Sequence, residues 1–588
     1  MRRKIAGVAV GALVVSAIAT GMASPSIAQS GGDTRVSVGS PPSPFSENKQ
    51  NEPALAVDAN HPNILAAGAN DEIDMEACNA GDDRTCPFTD GIGVSGIYFS
   101  HTSGDSWTQP TYQGLTARNC QGVVGNDDPG CTPEEGPIGT LPRYYENGLV
   151  SDGDPALAFG PKRGANGKFS WNNGSRLYYA NLTANLSTQR SETTFKGFEA
   201  IAVSRTDDLG QTWLDPVVVS KQSNTTFSDK EQIWADNASQ TSPYFGNVYL
   251  CWASFRGQEN SPNAAPAPLI VAVSSDGGDT WTQHQLTAAA NNSQRNPMDG
   301  CTVRTDSHGN AYVFGVGTSS SGGHQAFEFM SVSRDGGKSW SRPKPIPGAV
   351  TQPGVLDPVQ DRPVIDGEAG ARSDLAPAPS VDIANGAPTG TDATNRIVMT
   401  YVSGTLEHPH VYFTESTDLG KTWSPRRPIE SAGDRGLFTA PAISPNGRDV
   451  YVVYNAFVTP YRSDTRGPGN DRELVGVVKH ADVTGSSTGA FSEIHRGVIG
   501  DARGSSANAL ISEFLGDYVY AVATRTYGAA VWNDARNEAD CPAIDAWRHG
   551  IRTDDTSDDV PRPAPQQECP ANFGNSDIYG GSYADPTP

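Results

Sequence analysis

The stretch Ser274-Ser275-Asp276-Gly277-Gly278-Asp279-Thr280-Trp281 constrains this chain more than any other, because it recurs. Further copies are Ser333-Arg334-Asp335-Gly336-Gly337-Lys338-Ser339-Trp340, Ser416-Thr417-Asp418-Leu419-Gly420-Lys421-Thr422-Trp423 and Thr206-Asp207-Asp208-Leu209-Gly210-Gln211-Thr212-Trp213. Ser100-His101-Thr102-Ser103-Gly104-Asp105-Ser106-Trp107 is a decayed copy that lacks the Asp. Each position has a physical task. Asp276 is expected to accept a hydrogen bond from a backbone N–H two residues on, closing a tight turn. Gly278 can take the positive φ that such a turn needs. Trp281 then enters a strand as a large apolar anchor, and the apolar run Leu269 to Val273 supplies the strand before it. Self-similarity at a fixed motif means that one supersecondary unit is used repeatedly.

This motif resembles the Asp-box, or bacterial neuraminidase repeat, which in its family is a structural turn between the third and fourth strands of a β-propeller blade. Asp208, Asp276, Asp335 and Asp418 are therefore read as turn residues. A second repeat runs in phase with the first: a short strand, a polar turn and another strand. Its first strands are Ala54–Val57, Ala156–Phe159, Gln232–Trp234, Cys301–Val303, Ser380–Ile383, Pro441–Ile443 and Tyr518–Ala521. These units predict an all-β propeller of four-stranded antiparallel blades, seven in number, with six as the alternative. The propeller spans 51–588 as one domain. Segment 29–50 precedes it, and Arg35-Val36-Ser37-Val38 is available to complete the last blade, removing an open edge.

The ends of the chain and its composition set the compartment. Arg2-Arg3-Lys4, an apolar run from Ile5 to Thr20 and Ser26-Ile27-Ala28 predict a secretory signal peptide over 1–28, with the secreted protein beginning at Gln29. Eight cysteines in an exported chain read as disulfides. The expected pairs are Cys78–Cys86, Cys120–Cys131, Cys251–Cys301 and Cys541–Cys569. A net charge of −23 argues against nucleic acid and anionic membrane surfaces as partners. A glycan or glycoconjugate is the expected ligand, with no membrane span after signal cleavage and a monomeric state.

In such a topology the first strands all start at one face, here called the top. The long insertions 70–93, 111–152, 455–471 and 533–575 fall there, whereas the repeated turns lie on the opposite face. Glu52, Asp154, Glu231, Asp299, Asp517 and Tyr518 lie at first-strand starts and are the candidate catalytic residues. Lys230, Arg435, Asn70, Asn181, Asn455 and Asn533 sit at the same face as candidate substrate-binding residues. Crowded carboxylates raise one another's pKa and suit acid–base chemistry. They equally suit Ca²⁺, a hard cation that takes oxygen ligands; no other cofactor is indicated. Gly485 to Gly489 matches G-x-S-x-G by letter but has no strand-to-helix context. His408 and His410 have no third ligand in the sequence pattern.

The chain resembles secreted bacterial proteins of the exo-α-sialidase, BNR-repeat type. The segments Glu52-Pro53-Ala54-Leu55-Ala56-Val57-Asp58, Tyr244-Phe245-Gly246-Asn247-Val248-Tyr249 and Leu515-Gly516-Asp517-Tyr518 carry it. The resemblance implies glycoside hydrolysis at the mouth. Family enzymes grip a sugar carboxylate with three arginines, use a Tyr–Glu pair as nucleophile and an Asp as acid/base. Their Arg-Ile-Pro motif is absent here, and Asp361-Arg362-Pro363 is a poor, misplaced match. Two expectations follow: a sialidase-like glycoside hydrolase, or a non-catalytic propeller that binds glycan or protein through its top loops.

Overall fold

The computed structural model describes residues 32–587, apart from 79–85, 87–88, 90, 122–130, 187–198, 221–225, 257–266, 289–296, 319–324 and 554–560. The expected signal segment lies outside the described residues.

Seven antiparallel sheets follow one another around a central axis, so the six-bladed alternative is excluded. Blade 1 uses Gln50–Val57, Leu65–Asp71 and Ser95–Ser100, and its fourth strand is reduced to a bridge between Phe99 and Thr108. Blade 2 has Ala156–Pro161, Ser175–Asn185, Ala200–Thr206 and Leu214–Val218. Blade 3 has Thr226–Ala235, Val248–Arg256, Leu269–Ser274 and Thr282–Gln285. Blade 4 has Pro297–Thr305, Ala311–Thr318, Ala326–Ser333 and Lys344–Val350. Blade 5 has Ser380–Ile383, Ile397–Gly404, Pro409–Ser416 and Arg427–Pro428. Blade 6 is built on Arg435–Ile443, Asp449–Phe457, Glu473–Thr484 and Ser492–Arg496. Blade 7 has Tyr520–Ala523, Tyr527–Asp534 and Asp577–Ala584, and its outer strand is Thr34–Arg35 from the other end of the chain. Thr34 stands opposite Gly580 and Arg35 opposite Tyr579. The Val36 amide donates to the Ile578 carbonyl at 2.7 Å, continuing the ladder. A ring closed by both termini leaves no unpaired edge between first and last blade.

The core is divided among the blade interfaces. One cluster packs Tyr178, Leu182 and Ile201 of blade 2 on Ile233, Leu250 and Trp252 of blade 3. Another packs Tyr312 and Phe314 of blade 4 on Val381, Met399 and Tyr401 of blade 5. The repeated turn supplies the indole that bridges each pair. Trp340 of blade 4 meets Tyr249 of blade 3 edge-on at 6.5 Å, and Trp423 of blade 5 meets Phe314 of blade 4 at 6.3 Å. Burying a large ring at each interface favours stacking, so the motif acts on the neighbouring blade as well as its own.

The turn itself differs from expectation in one respect. Asp276 reaches amides three and four residues on, not two: Oδ1 accepts from Asp279 N at 3.1 Å and from Thr280 N at 3.0 Å. Its Oδ2 accepts from the Thr280 hydroxyl at 2.6 Å. Ser274 Oγ caps the Gly278 amide at 2.9 Å, and Gly277 and Gly278 both have positive φ, 89° and 88°. The wider loop arises because two successive left-handed residues turn the chain before the carboxylate finds an amide. In the decayed copy Thr102 Oγ1 accepts from Ser106 N at 3.0 Å and so replaces the Asp.

All eight cysteines are paired, as Cys78–Cys86, Cys120–Cys131, Cys251–Cys301 and Cys541–Cys569. Cys251–Cys301 ties blade 3 to blade 4; the other three close top-face insertions. Two helices, Pro542–Gly550 and Pro565–Glu568, sit inside the last insertion, framed by its disulfide. Among the described residues no helix is long and apolar enough to cross a membrane. A further insertion, 351–379, lies between blades 4 and 5 and carries the hairpin Val355–Asp357 with Arg362–Val364.

Candidate functional site

The first strands begin with a bulge that aims their leading side chains at the axis. Register slips between Asn51 and Ala54 in blade 1 and between Asp229 and Gln232 in blade 3. Glu52, Asp154 and Lys230 hold φ of 55°, 53° and 60°, a left-handed conformation unusual for residues with a Cβ. Such outliers cost on the order of 1–3 kcal/mol each and gather where function demands a fixed geometry. Asparagines at second-strand ends hold these bends. Asn533 Oδ1 of blade 7 accepts from the Glu52 amide at 3.0 Å, and Asn70 Oδ1 of blade 1 accepts from the Asp154 amide at 2.7 Å.

The resulting contacts cross the axis. Lys230 of blade 3 places Nζ 2.8 Å from Asp154 Oδ2 of blade 2, 3.0 Å from Asp517 Oδ2 beside blade 7 and 3.6 Å from Asp229 Oδ1. Tyr518 donates its hydroxyl to Asp154 Oδ2 at 3.2 Å. Arg372 donates from Nε to Asp517 Oδ1 at 2.8 Å and from Nη2 to Glu52 Oε1 at 2.9 Å, with its guanidinium 4.5 Å over the Phe514 ring. Asn70 Nδ2 donates to Glu52 Oε2 at 2.7 Å. Below this layer the Tyr520 hydroxyl donates to Gln232 Oε1 across the channel. A cavity on the axis is lined by Lys230, Glu231, Thr302, Phe438, Asp517 and Tyr518, among others.

The charges are graded. Burial, then the Asp154 charge, pushes Glu52 well above the usual carboxylate range. Burial also acts on Asp154, but the Lys230 ammonium and its hydrogen bonds outweigh it and hold Asp154 low. Asp517 is likewise held low, against burial, by Arg372 and Lys230. Glu231 is 3% exposed, and neither carboxylate oxygen has a hydrogen-bond partner in another described residue. Burial, then Asp154, drives it well above the usual carboxylate range. Burial and the Asp154 charge also keep Tyr518 protonated. Asp152 is pushed up to about 7 by burial, and its neighbour Glu199 rises further through burial and the Asp152 charge.

Glu52, Asp154, Lys230, Glu231, Asp517 and Tyr518 thus stand together. Asp299 lies in the first strand of blade 4, but its side chain is outside the described set. Arg435 stands apart: it pairs with Asp366 at 2.7 Å in a second buried network that includes Arg472 and Glu513. Asn455 donates to the Asn533 carbonyl at 3.0 Å, and Asn533 Nδ2 to the Tyr518 carbonyl at 2.8 Å. Asn181 accepts from the Tyr144 hydroxyl within the blade 2 insertion. Among the described residues the amides of Asn70, Asn181, Asn455 and Asn533 are engaged within the protein. Arg372, Asp152 and Glu199 were not anticipated. Arg372 comes from an insertion between blades and has no motif around it. Asp152 and Glu199 do stand at the top ends of blade 2 strands, which is the signal that marks them.

The fold and mouth define a seven-bladed β-propeller whose axial opening is acidic and braced by two cations. Among solved structures it is similar to a Hadza microbial sialidase (13% identity, TM-score 0.38, 69% of this chain and 63% of that one). It is also similar to the leech intramolecular trans-sialidase (13%, TM-score 0.42, 81% and 71%). A third likeness is the intramolecular trans-sialidase from Ruminococcus gnavus (11%, TM-score 0.41, 78% and 97%). The chain spans less than two thirds of the first of these proteins. No protein-family model matches the chain, and no curated protein matches it.

Proposed function

We propose that the protein is a secreted glycoside hydrolase whose reaction takes place at the axial mouth. The observation that carries this reading is Glu231. It is buried, has no hydrogen-bond partner in another described residue, and is pushed well above the usual carboxylate range beside Asp154, which is held low. Two carboxyl groups whose environments push their pKa values apart divide the roles of acid and base. Glu231 is the acid that protonates the leaving-group oxygen; Asp154 is the ionised partner, with the Tyr518 hydroxyl donating to it as the second activatable oxygen. Lys230 positions Asp154, and Arg372 positions Asp517 and Glu52. Both cations are already ion-paired, so a sugar carboxylate finds no unpaired partner there and a neutral glycan is the better substrate. The four disulfides fit an oxidising compartment outside the cytoplasm.

A second reading is favoured by one observation: Glu52, Asp154, Lys230, Glu231 and Asp517 are each 7% exposed or less. A mouth so closed suits a non-catalytic propeller that binds glycan through its outer loops. The test is the secreted protein on a panel of neutral and sialylated aryl glycosides, with Glu231→Gln and Asp154→Asn alongside. Turnover of a neutral glycoside, lost by at least about a hundredfold in both variants at unchanged melting temperature, supports hydrolysis. Absence of turnover on every glycoside, together with glycan binding that both variants retain, supports the binder.

A further inference from the structure

The repeated turn is missing from two adjacent blades, 6 and 7. In every other blade a residue at or near the start of the second strand stands opposite the first residue of the motif: Leu65 opposite Ser100, Leu177 opposite Thr206, Val248 opposite Ser274, Ala311 opposite Ser333, Ile397 opposite Ser416. In blade 6 this pair is Asp449 and Asp482. In blade 7 it is Tyr527 and Ala584, with Asp585 next in the chain. Where the serine-and-aspartate turn network is lost, carboxylates from two blades replace it.

They converge with an imidazole. His480 is buried, with Nε2 3.4 Å from Asp449 Oδ1 and 4.0 Å from Asp585 Oδ1. One ligand atom from each of Asp449, His480, Asp482 and Asp585 lies within 4.8 Å of the others. The Thr587 amide donates to Asp585 Oδ1 at 2.8 Å, and its hydroxyl donates to Asp482, which turns the C-terminal segment toward the group. An independent observation points the same way. Tyr451 is 2% exposed, its ring lies 4.9 Å from that of His480, and its hydroxyl donates to no partner among the described residues. The carboxylates of Asp449, Asp585 and Asp482 act electrostatically on that hydroxyl, and the Gly528 amide is its backbone neighbour. A buried phenol left without an acceptor costs free energy unless something at the site engages it. Among the described residues no lysine or arginine forms an ion pair with any of the three carboxylates; His480 alone does.

We infer that Asp449, His480, Asp482 and Asp585 form a divalent-cation site that ties blade 6 to the C-terminal segment of blade 7, on the face opposite the mouth. An imidazole among carboxylates selects a transition ion such as zinc or manganese over calcium, which prefers oxygen ligands alone. Asp482 and Asp585 are partly exposed, so the ion has a path from solvent. The ion would offset three gathered negative charges and fasten the ring where the repeated turn does not.

The test is calorimetric titration of the full-length secreted protein, stripped with chelator, against zinc, manganese and calcium chloride. The expected result is one zinc or manganese ion per chain, bound more tightly than calcium. Asp482→Asn, Asp585→Asn and His480→Gln are each expected to weaken binding by more than about tenfold. Asp154→Asn, at the mouth, is expected to leave it unchanged. The two partly exposed aspartates keep the test valid if the His480 variant fails to fold. Lack of stoichiometric binding by all three ions overturns the site. Unchanged affinity in Asp482→Asn and Asp585→Asn places the ion elsewhere and also overturns it. Tighter binding of calcium than of zinc and manganese overturns the choice of ion.

Discussion

The two faces of the propeller use the same residue type in opposite ways. At the repeated turns Asp276, Asp335 and Asp418 stand near solvent and spend their carboxylates on their own loops. At the mouth Glu52, Asp154, Glu231 and Asp517 are buried and look across the axis to other blades. The turn carboxylates are stabilised as anions by nearby N–H and O–H donors, so they fall below the usual range. Those at the mouth are divided: Asp154 and Asp517 are held low by Lys230 and Arg372, whereas Glu52 and Glu231 are pushed well above the usual range by burial. A local hydrogen bond fixes a turn; a desolvated group with a distant counter-charge makes a site.

The largest effect should come from removing the cation shared at the mouth. Lys230→Met strands Asp154 in a buried setting and leaves Asp517 with Arg372 alone. It is expected to cost about 3–5 kcal/mol, read as a shift in the denaturant midpoint. A loss under 1 kcal/mol would mean the mouth charges are far better solvated than their burial implies.

Next is the turn. Asp276→Ala removes acceptors for Thr280 and Asp279 and should cost about 1–2 kcal/mol while leaving mouth chemistry intact. If it abolished activity at unchanged stability, the division between the faces would be wrong.

The faces should also respond to pH in opposite windows. Asp152, beside the mouth, is raised to about 7 in the folded state, so its contribution is full below about pH 4 and is lost as pH rises through 7. Asp335, in a turn, is lowered to about 2, so its contribution is present above about pH 4 and is lost as pH falls toward 2. Melting temperature against pH should therefore decline on both sides. Asp152→Asn is expected to flatten the decline between about pH 4 and 7 and Asp335→Asn the decline from about pH 4 toward 2; the reverse assignment would refute the contrast.

The smallest effect is a gain. Thr102→Asp restores the carboxylate to the decayed copy, where Ser106 N already donates to the side chain, and should stabilise by about 0.5–1 kcal/mol. A loss would show that the copy has drifted too far to accept the motif.

Local and periodic features were readable from the residues alone. Ser274 to Trp281 and its copies specify their turns through neighbours within eight residues. The phase of apolar first and second strands counts the blades. Cysteines close in sequence, such as Cys78 and Cys86, have little choice of partner. Glu52, Asp154, Lys230 and Asp517 were legible because a propeller brings every first-strand start to one axis. Which way each of them is shifted, and what holds it, follows from the folded contacts. Arg372 reaches the mouth from an insertion with no repeat to predict its path. Arg435, equally near a strand start, is claimed instead by Asp366. The asparagines that the pattern placed at the mouth are engaged in bonds within the protein, three of them linking neighbouring blades or their mouth segments. Asp449, His480, Asp482 and Asp585 are scattered over 137 residues and meet because the ring closes. Hydrogen bonds inside a turn are fixed by the chain that carries them. A counter-charge across an axis depends on how distant segments fold back, and burial, which pushes Glu231 upward, belongs to no short stretch of sequence.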